Sequence, residues 1–453
     1  MNTMNNTIAV KALGLQQTWP PASLLRVNPL AAVVVAGMLA LLCLQACTSG
    51  NKLLANGEPY EVLAPDGRYV FVSSPKYIKE MDSAPDTVLS LQAAAKQMLQ
   101  PIHTMHAFNW FDRRGTEGVG FVKALRTMLT NNLPAVLPDL STIIRTRFES
   151  LHEAHPKING VTQSPVYVMN VKLVVLSNAV SFFGKDLGMA NPYHMAHPTR
   201  LIPVTMLTII MTAKNEAFME SALTYIEETF VCAEIVRLLP KFMSPILGRL
   251  MRRRLKSQDV VYNTLLAVTE QRCLERDMKN LGQDVPYHIY ALDAAAHNNL
   301  VANETQTAES TRRAALRPFT FSDGTKLNVG DWGCTPVKAM MHDAEFYPEP
   351  LQFNGFRFAD PAIVQAAGDH FKTPQPKPSK LTDCSSTYHV WGTGRMACPG
   401  RYYATAVMKV ILGQIIMNYH CELLNREESR CVTWRSTMLP KHSTKVVFTR
   451  RAD

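Results

Sequence analysis

The chain is 453 residues long and 47% hydrophobic, enough to bury a sizeable core in one large domain or several ordinary ones. Its 47 Lys+Arg against 37 Asp+Glu give a formal charge of +10, which suits an acidic partner, an anionic membrane surface or nucleic acid equally and selects none of them. Nine cysteines, odd in number and without a CxxC pair, argue against a disulfide scaffold or a structural zinc site.

A tail of residues 1–28 precedes residues 29–47, PLAAVVVAGMLALLCLQAC, which carry no charge and have the length that a bilayer core demands of a helix. This predicts a transmembrane anchor. A cleaved signal peptide is the competing reading, because Ala46 suits a small-residue cleavage rule and LQAC imitates a lipoprotein site. Next, EPYEVLAPDGRYVFVSSP alternates apolar and polar residues around Asp66-Gly67 and predicts a hairpin. Residues 119–153 have helical apolar spacing, broken at Pro134 and Pro138, and residues 217–239 repeat it ahead of the cluster Arg252, Arg253 and Arg254. His103 and His106, His152 and His155, and His194 and His197 have helix-borne spacing, but no HExxH pattern accompanies them, so they read as surface or loop residues.

Around Pro318 the texture changes. RPFTFSDGTKLNVGDWGCTP predicts a second hairpin with turn signals at Asp323-Gly324 and Gly330-Asp331. A proline-rich, irregular stretch over residues 347–380 leads to WGTGRMACPG, and residues 401–419 then read as a strongly apolar helix. The fold class expected is mainly α with small β-sheets (α+β).

The segment from Trp391 to Arg401 has what a metal-binding thiolate requires. Gly392, Gly394 and Gly400 permit close backbone approach and positive φ angles. Pro399 opens the following helix, whose N-terminal dipole lowers a thiol pKa, and Arg395 and Arg401 add positive charge. Cys398 is thereby placed to act as a thiolate.

HVWGTGRMACPGRYYA resembles the haem-binding loop of cytochrome P450 enzymes, commonly FxxGxRxCxG, and especially the FGxGRHACPGRxxA form of fungal microsomal members. Trp391 stands at the aromatic position, Gly394 and Gly400 match the glycines, and Cys398 matches the ligand of the haem iron. Met396 departs from the pattern: the family carries Arg or His there to meet a haem propionate, and Arg395 replaces it only by turning inward. RPFTFSDGTKLNVGDW resembles the hairpin after the family's K helix, and EFYPEPLQFNGFRF its meander, with Arg357 at the arginine position. Lys123 and Arg126 fall on a stretch resembling the C helix, where a basic residue contacts a propionate, although a solvated face is an equal reading.

The resemblance extends over residues 56–453 and implies a cytochrome P450-like fold with an N-terminal transmembrane helix, incomplete in the I- and K-helix region. The AGxxT-like stretch of the oxygen-activating I helix is not found, and gaps fall near 286–287 and 304–312. Glu309-Ser310-Thr311-Arg312 spells ExxR but abuts the hairpin, which would leave Arg357 without its usual partners. Residues 189–212 read as an insertion.

Membership implies a haem with an axial thiolate, a monooxygenase acting on a lipophilic small molecule in terpenoid-like secondary metabolism, and NADPH-cytochrome P450 reductase as electron donor. It also implies single-pass residence in the endoplasmic reticulum membrane with the haem domain cytosolic. The competing expectations are a catalytically inactive haem-binding or truncated relative and, on net charge and the cluster Arg252 to Arg254 alone, a nucleic-acid binder; no nucleic-acid partner is expected.

Overall fold

The computed structural model describes residues 57–64, 66–105, 124–158, 161–183, 204–240, 242–253, 255–282, 312–366, 379–434 and 437–451, all within a unit running from Leu54 to Asp453. The expected anchor at 29–47, Lys123, both expected gaps apart from Arg312, and residues 189–203 of the expected insertion lie outside the described residues. Among the described residues no helix is long and apolar enough to cross a membrane.

The first hairpin forms as expected: β1 (Tyr60–Ala64) pairs antiparallel with β2 (Gly67–Phe71), Ala64 opposite Gly67. Helix α1 (Pro75–Ser83) follows, started by a proline whose missing N–H would lack an intrahelical partner in any case. Strand β3 (Leu89–Ser90) hands the chain to α2 (Leu91–Leu99), where Ser90 Oγ accepts from Ala93 N at 3.1 Å and caps the helix. After the short α3 (Pro101–Thr104) comes a π-helical turn, Ala124–Leu129, which runs into α4 (Thr130–Glu153).

Here the structure corrects the sequence. Pro134 and Pro138 do not break α4 but lie inside it. Leu133, Val136, Leu140, Ile143 and Ile144 are all buried along one face, and their packing outweighs the hydrogen bonds the two prolines remove. Beyond it lie β4 (Lys157–Ile158), β5 (Val161–Pro165), α5 (Val166–Phe183), α6 (Val204–Leu238), α7 (Ser244–Arg252) and α8 (Lys256–Asn280).

The C-terminal part contains β6 (Arg313–Ala315), β7 (Phe319–Thr320), β8 (Lys326–Leu327), β9 (Trp332–Cys334), α9 (Val337–Met341), α10 (Pro361–Ala366), a 3-10 turn at Gly394–Met396, α11 (Arg401–Asn418), β10 (Tyr419–Leu423), β11 (Cys431–Trp434), β12 (Thr437–Pro440) and β13 (Lys445–Arg450). The second expected hairpin is β7–β8, with Phe319 opposite Leu327. Its continuation leaves it: β9 runs parallel to β2 and completes a sheet ordered β1-β2-β9-β6-β3. Mixed helix and small-sheet content agrees with the expected class.

Two cores result. Under the five-stranded sheet, Val70, Ile78, Met81, Leu89, Phe321 and Leu327 pack together and seat α1. A larger core joins α4, α5 and α11 to the sheet ordered β10-β13-β5-β4.

His152, expected at the surface or in a loop, is half-buried against that larger core, its ring stacked on Phe148 and edge-on to Tyr419 and Phe448, with Nδ1 3.1 Å from Ser164 Oγ. Burial holds its imidazole below the ordinary histidine range; His155 and Lys157 add to this and Glu153 opposes it. The unfolded chain therefore binds the proton at higher pH than the folded one. Stability rises with pH in the window between the two pKa values, and is lost as pH falls from about 6.5 toward the folded value. His152→Phe, which keeps a ring in place, is expected to flatten the urea-midpoint profile in that window, and an unchanged slope would contradict the assignment.

Candidate active site

The cysteine loop is built by backbone turns. Gly392 has φ +73° and Gly394 φ +57°, a region that suits glycine because a Cβ there crowds the backbone. Cys398 N donates to Trp391 O at 2.7 Å and Gly392 N to His389 O at 3.0 Å, which closes the bend. Gly400 differs from the expectation: as the residue preceding α11 it has φ −91°, and an added Cβ would meet nothing within 4 Å. Its contribution is its N–H. Pro399 stands just before that cap, not in the first turn of α11.

Cys398 is half-buried. Burial pushes its thiol above the ordinary cysteine range, while the backbone N–H groups of Gly400 and Arg401 and the Arg401 charge pull it back. Bonding to a metal ion would supply further driving force toward the thiolate. Two other cysteines are clear of such chemistry: burial raises Cys232 to about 11 and Cys334 to about 12.

The loop is tied to its surroundings by named side chains. Trp391 Nε1 donates to Leu381 O at 2.6 Å, while Arg401 donates from Nε to Thr382 O and from Nη1 to Cys398 O, both at 3.0 Å. Arg126, on the π-helical turn, reaches the loop, its Nη2 3.5 Å from both Arg395 O and Ala397 O. Arg395 is engaged by the far end of α1: Nη2 donates to Ala84 O at 2.6 Å, lies 3.5 Å from Asp86 Oδ1, and leaves the side chain 54% exposed. Met396 is buried.

Arg357, expected to lack partners, has three: it donates to the carbonyls of Pro348, Glu349 and Gln352, the last two at 3.1 Å. The meander thus satisfies its own buried arginine. Arg312 lies over the Trp332 ring, 5.9 Å from its centroid, with Nη1 3.5 Å from Met98 Sδ. Sequence reasoning missed Asp82 and Arg313, which bear on the loop and are 231 positions apart; neither belongs to a recognisable motif. Among the described residues no group of His, Cys, Asp and Glu forms a further metal site.

Comparison with known proteins bears on the same segment. The family model described as Cytochrome P450 matches residues 305–448. The cytochrome P450 monooxygenase janQ of Penicillium janthinellum is 32% identical over 147 residues, 32% of this chain and 27% of that relative; cytochrome P450 monooxygenase 151 of Postia placenta is 30% identical over 143 residues, 31% and 27% respectively. The match spans about a quarter of the length of these curated relatives. The solved structure of retinoic acid bound cyanobacterial CYP120A1 covers 91% of this chain and 96% of its own at 14% identity and a TM-score of 0.47, a likeness too loose to bear on fold or function. The loop's residues and the family match fall together: residues 305–448, which carry Cys398, are similar to the cytochrome P450 family, whose cofactor is haem with a cysteine thiolate ligand.

The residues present fit that group. A half-buried sulfur faces two backbone N–H groups at a helix start, the donor arrangement such a ligand needs. His389 Nδ1 and Thr393 Oγ1, beside and on the loop, are buried without a hydrogen-bond partner among the described residues, as polar atoms are where a bound group completes the site.

Proposed function

We propose that the chain is a haem-thiolate monooxygenase that oxidises a lipophilic small molecule, in secondary metabolism of terpenoid-like type. The observation that carries this reading is the Cys398 loop: two positive-φ glycines turn the chain, and the N–H groups of Gly400 and Arg401 face the sulfur at the start of α11. Haem bound there would supply oxygen activation, favoured by electron density from the thiolate. Cys398 holds the iron, the two N–H groups stabilise its negative sulfur, and Gly394 and Trp391 keep the bend. Arg126, beside the loop, contributes positive charge toward propionates; Lys123 is proposed for the same role from sequence alone.

NADPH-cytochrome P450 reductase is the proposed electron donor. Exposed Arg126, Arg395 and Lys409 give this side of the protein a basic character that suits an acidic docking face. Residence in the endoplasmic reticulum membrane through residues 29–47 is proposed with it. In support, the exposed Phe242, Ile246 and Leu250 on and just before α7 lie beside the exposed Arg249, Arg252 and Arg253, the composition of a helix seated on an anionic lipid surface.

A second reading, a haem binder without oxygenase activity, is favoured by the lack of an AGxxT-like stretch in the sequence. One experiment separates them. The full chain is expressed, reduced and treated with carbon monoxide, then incubated with reductase, NADPH and a panel of terpenoids. A thiolate-type Soret band with NADPH-dependent product supports the enzyme, the band without product supports the inactive binder, and no haem overturns both.

A further inference from the structure

We infer that Asp82 is a positioning residue for the cysteine loop: held by the buried Arg313, its carboxylate occupies the space beside Gly394 and fixes the bend that presents Cys398. The inference rests on the haem-thiolate reading above.

Arg313 lies in β6, between β9 and the edge strand β3 of the five-stranded sheet, with its side chain 2% exposed. A guanidinium so deeply buried requires a counter-charge. Asp82, near the end of α1, provides it, Oδ1 accepting from Arg313 Nη2 at 3.0 Å, while Arg313 Nη1 donates to Arg312 O at 3.1 Å. The carboxylate is therefore anchored to the sheet through one oxygen. Its other oxygen faces the loop: a Cβ built on Gly394 would lie 2.9 Å from Asp82 Oδ2 and 3.0 Å from Cγ. Four residues on, Asp86 meets Arg395 of the same loop, and Ala84 O accepts from that guanidinium at 2.6 Å. Asp82 at the end of α1 and Asp86 just beyond it thus alternate with two arginines, one from the five-stranded sheet and one from the loop. The ion pairs join the sheet to the sulfur-bearing bend through a helix end seated in the core by Ile78 and Met81.

The sequence offers no ExxR motif in its usual place to hold the loop, and this brace does so by other residues. Removing the Asp82 charge frees Arg313 to seek other partners, and truncating the side chain also leaves room beside Gly394, so the loop samples bends in which the sulfur no longer meets the iron.

The test uses the full chain as Asp82→Asn, which preserves shape, and Asp82→Ala. In the haem-loaded fraction of each, the share of thiolate-type ferrous carbon monoxide band is expected to fall about tenfold, the scale on which residues supporting a metal ligand act. A purely structural role would reduce the amount of loaded protein without changing that share. In the haem-free chain, alkylation at Cys398, located by mass spectrometry, should be about tenfold faster in Asp82→Asn, a readout that survives poor haem loading. Unchanged band share and unchanged alkylation overturn the inference while leaving the haem reading intact; a wild-type chain with no thiolate band overturns that reading first and the inference with it.

Discussion

Cys398→Ser is expected to abolish the thiolate-type carbon monoxide band completely while leaving the fold in place. The reasoning separates ligand from scaffold. The loop's shape comes from the Cys398 N to Trp391 O bond and from the positive φ of Gly392 and Gly394, none of which uses the sulfur. The Arg401 contact is with Cys398 O, again backbone. Serine therefore fits the same bend, and the smaller oxygen removes little buried surface from a half-buried position.

What is lost is the soft, polarisable donor that the two N–H groups are arranged to stabilise. The urea midpoint of the haem-free variant should match wild type within about 0.5 kcal/mol, and its absorption after reduction and carbon monoxide should carry no thiolate-type component. A surviving band would mean that another residue ligates the iron. Cys384→Ser serves as the control because that thiol is exposed and lies outside the bend; its band should be unchanged.

Legibility in the sequence followed the range of the interactions involved. The Asp66-Gly67 hairpin, the β7–β8 turn at Asp323-Gly324 and the apolar α11 were readable because a few adjacent residues determine them. So was the cysteine loop, since the glycines that must take positive φ lie within six residues of the sulfur.

The larger misreadings involve partners that carry no local signature. Pro134 and Pro138 signal a break locally, yet α4 continues because its buried face packs against α5 and α11. Arg357 looked unpaired once an ExxR partner was missing, but backbone carbonyls, which have no sequence signature, satisfy it. The strand after the second hairpin looked like part of it and instead joins β2, whose residues lie far away in the chain. Asp82 carries no local mark at all: its importance appears only once the sheet brings Arg313 beside it.

The same long-range logic predicts the largest stability loss. Arg237→Met in α6 is expected to cost about 3–5 kcal/mol, the range for stripping one partner from a buried ion pair. Arg237 forms ion pairs with Asp66 of the first turn and with Glu234, and the Arg237 and Asp66 side chains are only 7% and 8% exposed. The network is closed on both sides: Tyr69 OH donates to Asp66 Oδ2 at 2.7 Å and accepts from Arg237 Nη2 at 3.2 Å, and the guanidinium lies 5.5 Å from the Trp332 ring centroid. It thereby ties α6 to the β1–β2 hairpin and to β9.

Methionine retains most of the side-chain volume, so the loss is electrostatic: the Asp66 carboxylate stays buried without its cation and with Glu234 near it. The check is a double-mutant cycle by urea unfolding. Asp66→Asn in the Arg237→Met background should recover part of the cost, because it removes the stranded charge, with a coupling of about 1–3 kcal/mol. Strict additivity of the two substitutions would show that the pair contributes nothing beyond each residue's separate contacts, and the tie between α6 and the hairpin would then have to come from apolar packing alone.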